Sequence, residues 1–168
     1  MSNAVPRIGY VPQDRQIDGL AMGMSVVENL LVGNDGRREL SNFGFLRRKA
    51  IRGWVQDLVR RFEIRVSDPS EAIANLSGGN QQKVVVSRTL DAVPDLLVVV
   101  NPTRGLDIRA SVFVHSQLLA ARKRGAAILL VSTDLDELAG LSDRTLFLSR
   151  GQFAAGSREE AFLGGLDA

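Results

Sequence analysis

The sequence contains no cysteine and a single histidine among its 168 residues. The fold must therefore be stable without disulfides, and the composition fits a reducing compartment. No apolar run approaches the roughly 20 residues that span a bilayer, and the N-terminus has no signal-peptide pattern. We therefore expect a soluble protein, located in the cytoplasm.

The net charge is also small. The 21 lysines and arginines are nearly balanced by 19 aspartates and glutamates, which leaves a formal charge of +2. So small a charge gives no support to a nucleic-acid partner. With 45% hydrophobic residues, the chain can bury one sizeable core and so forms one domain or part of one. Residues 1–4 are interpreted as an expression scar and excluded from the fold.

Four short apolar segments predict the strands of an α/β protein: residues 7–12, 96–100, 126–131 and 143–148. The run at 96–100 has five apolar residues before a proline-containing turn, which is typical of a parallel strand buried on both faces. The strand at 126–131 is predicted to be buried as well. Residues 151–155 are expected to form a hairpin with the last strand.

Helices are predicted between these strands. Ser25 and Glu28 have capping-box spacing, which favours a helix over 26–32 that ends at Gly33, followed by a flexible polar stretch at 34–41. From Arg47 an apolar stripe indicates an amphipathic helix with a solvated basic face. The stripe consists of Ile51, Trp54, Val55, Leu58, Val59 and Phe62, and the basic face of Arg52, Arg60 and Arg61. Further helices are expected at 79–90, 108–124, 135–139 and 158–163.

Three smaller interpretations concern single residues or short turns. His115 is expected to pack or lie at the surface of its helix and not to bind a ligand. Lys83 is predicted to be exposed. Residues 13–19 are read as a polar turn, and Thr133 with Asp136 as the cap of the short helix 135–139.

Residues 76–83 read Leu-Ser-Gly-Gly-Asn-Gln-Gln-Lys, a turn of small residues that leads directly into a helix. Gly78 and Gly79 let the backbone approach a ligand closely, and Ser77 adds a hydroxyl. The positive end of the helix dipole lies at the same place, so the turn has the chemistry of a phosphate-binding site. Taken alone, such a turn is more often simply the start of a helix.

This stretch resembles the signature motif of ATP-binding-cassette (ABC) ATPases. The apolar run at 96–100 and the following Asn-Pro-Thr-Arg-Gly-Leu-Asp at 101–107 resemble the end of a Walker B strand and the D-loop. The combination of the motifs GNQQK and PTRGLD is most similar to the sequence of the second ATPase half of sugar and nucleoside importers. The resemblance extends over residues 7–153.

The resemblance implies a fold and a site. The fold is α/β, a partial P-loop NTPase core with a mostly parallel sheet plus a helical subdomain. Residues 20–92 would form the helical subdomain, and residues 5–19 and 93–168 part of the core. Gln13 resembles the Q-loop residue that senses nucleotide-bound metal, although without the family it reads as a solvated loop glutamine. The implied nucleotide-binding residues are Gln13, Ser77, Gly78, Gly79, Asn80, Gln81 and Asp107.

Three positions depart from the family pattern. Where an active half carries a metal-supporting aspartate and a water-activating glutamate, this chain has Val100 and Asn101, and Thr133 replaces the switch histidine. Valine offers no oxygen, and an amide is a poor proton acceptor. No G-x-x-x-x-G-K-[ST] phosphate loop is present either, so we read the chain as a fragment.

The implied function is therefore that of part of an ATP-binding subunit. In such a pair each ATP lies between the phosphate loop of one half and the signature of the other. The partners would be a second ATP-binding half, membrane permease subunits and, indirectly, a solute-binding protein, at the cytoplasmic face of the membrane. ATP and magnesium would bind in the full assembly, with Gln13 a possible metal contact there. The fragment alone would bind no cofactor and be inactive.

Two alternatives remain open. The basic residues around Arg47 and Arg60 suggest a non-transport ABC protein that acts on nucleic acid or the ribosome, although the chain shows no sustained heptads. The other alternative is an interaction module without any nucleotide role.

Overall fold

The computed structural model describes residues 5–34, 36–43, 45–149 and 151–154. The predictions for residues 1–4 and for a helix at 158–163 lie outside the described residues. The described residues up to Thr133 form one compact unit, and those from Asp134 form a second. Each unit is described separately.

The first unit contains five strands and four α-helices. In chain order these are β1 (Ile8–Val11), α1 (Val26–Leu31), β2 (Ser41–Asn42), β3 (Phe45–Leu46), α2 (Arg48–Arg61), α3 (Gly78–Asp91), β4 (Leu96–Val100), α4 (Ile108–Lys123) and β5 (Ala127–Val131). A π-helical turn covers Arg15–Gly19 and a 3-10 turn Ile73–Asn75. The second unit contains α5 (Leu135–Leu141), β6 (Phe147–Ser149) and β7 (Gln152–Ala154).

The main sheet is parallel and has the order β1-β4-β5. Tyr10 pairs with Val98, which in turn pairs with Leu129. Parallel neighbours require crossover connections, and here helices supply them. The prediction of an α/β protein with a parallel sheet is therefore confirmed.

The two faces of this sheet differ in burial. Leu97 and Val99 are fully buried on the face where α3 packs against β1. On the other face, Tyr10 is 54% and Leu129 55% exposed, and Val131 is 49% exposed. Successive side chains of a strand point to opposite faces, so helices on one side bury only alternate residues. The prediction that β4 and β5 are buried throughout is therefore wrong for one face.

The start of α1 is fixed by the predicted capping box. The Glu28 amide donates to Ser25 Oγ over 3.2 Å, and the Ser25 amide donates to Glu28 Oε2 over 2.8 Å. The hydrogen bonds from Ser25 hold the pKa of the Glu28 carboxyl below its usual value. The flexible stretch predicted after α1 is wrong for Asn34, which is buried and whose Nδ2 donates to the Leu30 carbonyl over 3.3 Å.

A second local correction concerns residues 13–19. They were predicted as a polar turn, but the Asp14 side chain caps the π-helical turn by accepting from the amides of Gln16 and Ile17, at 2.9 and 3.1 Å. An aspartate at a helix start satisfies amides that have no intrahelical acceptor. The segment is therefore more regular than its polar composition indicated.

Helix α2 matches its predicted start and its apolar stripe, with Ile51, Val55 and Leu58 buried. Its basic face is not simply solvated. Arg61 donates to both Asp57 and Asp91, and Asp91 also accepts from Trp54 Nε1 over 2.8 Å. Arg37 completes this cluster by pairing with Asp91, which fastens α2 and the 36–43 segment to the end of α3.

The second unit starts with a helix whose cap was predicted incorrectly. The side chain of Asp134 accepts from the amides of Asp136 and Glu137 at 2.9 and 3.1 Å, so Asp134 caps α5 in place of Thr133. The predicted hairpin is confirmed, since β6 and β7 are antiparallel with Leu148 opposite Phe153.

The Asp91 cluster generates a stability prediction. Burial raises the pKa of Asp91, but hydrogen bonds from Arg61, Trp54 and Arg37 outweigh it and leave the pKa below its ordinary value of 3.8. The charged carboxylate therefore stabilises the fold above about pH 3.8, and the contribution is lost as the pH falls through the lower folded pKa. We expect Asp91→Asn to lower the free energy of unfolding by about 2 kcal/mol at pH 7.

Urea denaturation at pH 7 and pH 3 measures this effect. Asp57→Asn is the comparison variant, because Asp57 also pairs with Arg60 and Arg61 but is 39% exposed, so its loss should cost no more than about 0.5 kcal/mol. The deficit of Asp91→Asn should shrink at pH 3. Equal losses for the two variants at pH 7 would contradict the proposed weight of the cluster.

Candidate functional site

The candidate site is built around the first turn of α3. Ser77 has an extended backbone, and the helix begins at Gly78, one residue earlier than predicted. The amides of the first turn of any helix have no intrahelical acceptor, and here they belong to two glycines and Asn80. Ser77 Oγ makes no cap; it accepts from Asn80 Nδ2 over 3.0 Å. The turn therefore presents a hydroxyl and amide donors together.

Both glycines at this turn are closely approached by neighbouring groups. A Cβ on Gly78 would lie 2.5 Å from Arg15 Nη2, and one on Gly79 would lie 3.1 Å from the Cβ of Ala110. Real Cβ atoms do not tolerate the first distance, so a side chain at 78 would displace the guanidinium. The guanidinium is the far end of a flexible side chain and can move aside, so glycine is favoured here chiefly because it leaves the backbone accessible.

The two other polar residues predicted to contact a phosphate are bonded within the protein. Asn80 Oδ1 accepts from the Arg65 amide over 2.8 Å. Gln81 is 2% exposed, and its Nε2 donates to the carbonyls of Ile73 and Leu76 at 3.3 and 3.1 Å. These side chains hold the turn by bonds to the protein backbone, and we expect no direct phosphate contact from Gln81.

Two further residues of α3 were missed or misjudged from the sequence. Gln82 is buried and its Nε2 donates to the Pro102 carbonyl over 2.8 Å, which ties α3 to the turn after β4. The prediction that Lys83 is exposed is wrong, because Lys83 Nζ donates to the Glu63 carbonyl over 2.8 Å and lies 4.4 Å from the Phe113 ring centroid. Burial lowers the pKa of the Lys83 ammonium.

At the end of β4 the structure brings together three predicted positions from separate segments. Asn101 Nδ2 donates to Gln13 Oε1 over 3.0 Å, and Asn101 Oδ1 accepts from the Thr133 amide over 3.0 Å. The carboxyl ends of adjacent parallel strands share one edge of the sheet, which explains why these residues meet. The sequence analysis singled out each of these positions separately but predicted neither their proximity nor the hydrogen bonds between them.

Arg15 is a site residue that the sequence did not reveal. Its Nη1 donates to the Arg104 carbonyl over 3.4 Å, while its Nε is buried without an acceptor in the part of the chain that the structure describes. Its guanidinium thereby lies between the turn after β4 and the first turn of α3. Its neighbours in the sequence, Asp14 and Gln16, gave no signal for that placement.

The chemistry of these groups suits a phosphate better than a metal ion. Val100 has no side-chain oxygen and the Asn101 amide is neutral, so the end of β4 does not fit magnesium coordination. Asp107 caps α4 by accepting from the Ala110 amide over 2.8 Å. Across the described ranges, no group of three or more His, Cys, Asp or Glu residues could hold a metal. The helix start, with its amides and hydroxyl, fits phosphate oxygens.

A second surface feature is a groove of about 960 Å³ beside α1 and α2. Apolar side chains dominate its lining: Val27, Leu31, Phe45, Leu46, Ile51 and Val55, with Arg48, Arg52 and Asp68 among its polar members. The β2-β3 hairpin beside it exposes 95% of Phe43 and 79% of Phe45. Two such exposed aromatic side chains next to an apolar groove indicate an interaction surface.

The chain is similar in sequence to import ATP-binding proteins. No family model matches the chain. The nucleoside import ATP-binding protein NupA of Lactococcus lactis subsp. cremoris is 40% identical over 145 residues, which cover 86% of this chain and 29% of that protein. The guanosine import ATP-binding protein NupO of Bacillus subtilis is 37% identical over 92% of this chain and 32% of its own length. The ribose import ATP-binding protein RbsA 2 of Streptomyces avermitilis is also 37% identical, over 88% of this chain and 29% of its own.

A solved structure has the same fold. It is the dimeric ATP-binding cassette MJ0796 in a post-hydrolysis state bound to ADP and Pi, with a TM-score of 0.70 and 21% identity. The match covers 89% of this chain and 62% of that one. The chain has the fold of an ABC ATPase. It spans about a third of the length of the curated relatives it matches, between 28 and 32%.

The structure adds one observation about membranes. None of the helices in the described ranges combines the length and apolar character needed to cross a bilayer.

Proposed function

We propose that this chain is part of the ATP-binding subunit of a sugar or nucleoside importer, in which it contributes to ATP held mainly by a second ATPase half. The observation that carries the proposal is the contrast between two places in the structure, the start of α3 and the end of β4. The first turn of α3 offers phosphate-binding groups at Ser77, Gly78 and Gly79, whereas the end of β4 offers Val100 and Asn101. The relatives named above are import ATP-binding proteins for nucleosides, guanosine and ribose, which supports the class of cargo.

The site on this half's own strands should hydrolyse ATP poorly. Phosphoryl transfer to water needs a metal to neutralise developing charge and a group to orient the attacking water. Val100 supplies no oxygen for the first task, and the Asn101 amide is both neutral and already bonded on each side. Thr133 lies at the switch position with its amide committed to Asn101.

The same half can still serve the other site. Amide donors and a hydroxyl at a helix start stabilise a phosphate carried by a different surface, because the helix dipole favours negative charge there. ATP and magnesium would be the cofactors of the full assembly, in which magnesium would supply the charge neutralisation. Ser77, Gly78 and Gly79 would hold the outer phosphate, and we keep Asn80, Gln81 and Asp107 as supports of that arrangement. Among the residues named above, Gln13 is the one that we propose as a contact of the metal ion in the full-length protein.

The groove beside α1 and α2 supports the second part of the proposal, coupling to a membrane permease. We assign residues 20–92 to the helical subdomain and residues 5–19 with 93–168 to the core. An apolar helix of the permease fits a groove lined by side chains such as Leu31 and Ile51, with Arg48 among its polar members. We therefore propose a location at the cytoplasmic face of the membrane, with a solute-binding protein as an indirect partner. The nucleic-acid alternative is weakened because Arg61 and Arg60 are paired with aspartates.

Substitution of Ser77 tests the donor role. In the whole transporter, Ser77→Arg should reduce ATP hydrolysis at least about 100-fold, because a bulky cation fills the space where the phosphate meets the turn. Steady-state ATPase assays on reconstituted transporter measure this. Ser116→Arg, at an exposed position of α4, is the control and should keep normal turnover. Unchanged hydrolysis in Ser77→Arg would contradict the donor role and leave an interaction module as the better reading.

A titration tests whether the chain needs its partner for ATP binding. The 168-residue chain should bind ATP no more tightly than the millimolar range, because the helix start contacts only the outer phosphate. Isothermal titration calorimetry with magnesium present measures the affinity, and the chain should show no hydrolysis. A micromolar dissociation constant would mean that a complete nucleotide site exists within this chain.

The permease contact is tested at the hairpin. Phe45→Glu should weaken co-purification of the permease at least about tenfold without changing the melting temperature, since Phe45 is 79% exposed. Phe153→Glu, at a residue 70% exposed on the β6-β7 hairpin, is the matched control. Equal permease recovery for both variants would rule out the groove as the docking site.

A further inference from the structure

We propose that Asn101 is a positioning residue, which takes the place of a catalytic base and uses its amide to fix Gln13 and, through it, the first turn of α3. The proposal rests on the proposed function only for the claim that this turn meets ATP. The hydrogen bonds that define it lie within the chain itself.

The Asn101 side chain has the chemistry for two opposite bonds at once. Its Nδ2 donates to Gln13 Oε1 and its Oδ1 accepts from the Thr133 amide, each over 3.0 Å. An amide is both donor and acceptor, whereas a carboxylate accepts alone. The backbone amide of Asn101 also donates to the Val131 carbonyl over 2.8 Å, so the residue joins the ends of β4 and β5 twice.

The backbone at this position also favours asparagine. Asn101 has φ of 42°, in the left-handed region. Among residues with a side chain, asparagine adopts this region at unusually low cost, and glutamate does so much less readily. Backbone conformation and side-chain bonding therefore select the same residue independently.

Gln13 belongs to a stiff segment, residues 13–16, which we call the 13–16 turn. The side chain of Asp14 caps it by accepting from the Gln16 and Ile17 amides. Arg15 connects the turn to the Arg104 carbonyl. These bonds fix the 13–16 turn to its neighbours, so we call it the connector. Asn101 holds its first residue, Gln13.

The other end of the connector reaches α3. Gln16 Nε2 donates to Gln81 Oε1 over 3.0 Å, and Gln81 in turn donates to the Leu76 carbonyl, directly before Ser77. The guanidinium of Arg15 contacts Gly78. A displacement of Gln13 is therefore transmitted through the hydrogen-bonded side chains of Gln16 and Gln81 to the turn that we propose meets the phosphate.

Amide hydrogen exchange tests the bonds directly in the 168-residue chain. Asn101→Gly keeps the left-handed backbone but removes both side-chain bonds, so exchange at the Thr133 amide should accelerate about tenfold. Asn101→Asp keeps an acceptor for Thr133, and Gln13 can turn its amide to donate, so protection should be retained. Equal Thr133 exchange in Asn101→Gly and the unsubstituted chain would overturn the proposal.

Turnover of the whole transporter tests the positioning role. Asn101→Gly should lower kcat about tenfold with KM unchanged, because the misplaced turn loses a contact made in the transition state. Asn101→Asp should recover most of that loss. A kcat loss that is the same in both variants, or absent in Asn101→Gly, would overturn the positioning role. If Ser77→Arg also leaves turnover intact, the proposed function fails instead, and the exchange experiment still decides the Asn101 bonds.

A double-mutant cycle provides an independent check. Gln13→Ala removes the next member of the connector at an exposed position. If both residues act through one path, the kcat of Gln13→Ala with Asn101→Gly should equal that of the more impaired single variant. Losses that multiply would show separate roles and contradict the proposal.

Discussion

Buried side-chain amides at the start of α3 determine where its first turn lies. Gln81 and Gln82 are 2% and 3% exposed, and a buried amide without hydrogen-bond partners is costly. Gln81 satisfies its groups with the carbonyls before the turn, and Gln82 reaches the Pro102 carbonyl after β4. The half-buried Arg88 adds a third link by donating to the carbonyls of Asn29 and Gly19. The helix can therefore shift only if these bonds break together.

This arrangement is compatible with the proposed function, in which one half lacks its own catalytic base and serves the site of the other half. A catalytic base has to be free to accept a proton, whereas a positioning residue has to be bonded on every side. Asn101 satisfies the second requirement and excludes the first, since both ends of its amide are occupied. The proposed donor role of Ser77 and Gly78 needs no proton transfer, so it does not depend on a catalytic base at position 101.

The sequence predicted the positions of the helices and strands better than it predicted their burial and their long-range hydrogen bonds. Periodicity located α2, and the Ser25 capping box located the start of α1, because both depend on neighbours within one turn. The burial of β5 was predicted incorrectly, since apolar composition does not reveal which face helices cover. The candidate site residues were predicted from the resemblance of their motifs to a family and stay predictions. The bonds among Gln13, Asn101 and Thr133 join positions 32 and 88 residues apart. Such long-range polar contacts leave no local pattern, and the same holds for Arg15.

A cryo-electron microscopy structure of the intact transporter with a non-hydrolysable ATP analogue tests the central claim most directly. The account predicts that the terminal phosphate of one nucleotide, held by the phosphate loop of the partner half, lies about 3 Å from Ser77 Oγ and the amides of the two following glycines. A structure in which the terminal phosphate of every bound nucleotide lies beyond hydrogen-bonding distance of this turn would contradict it.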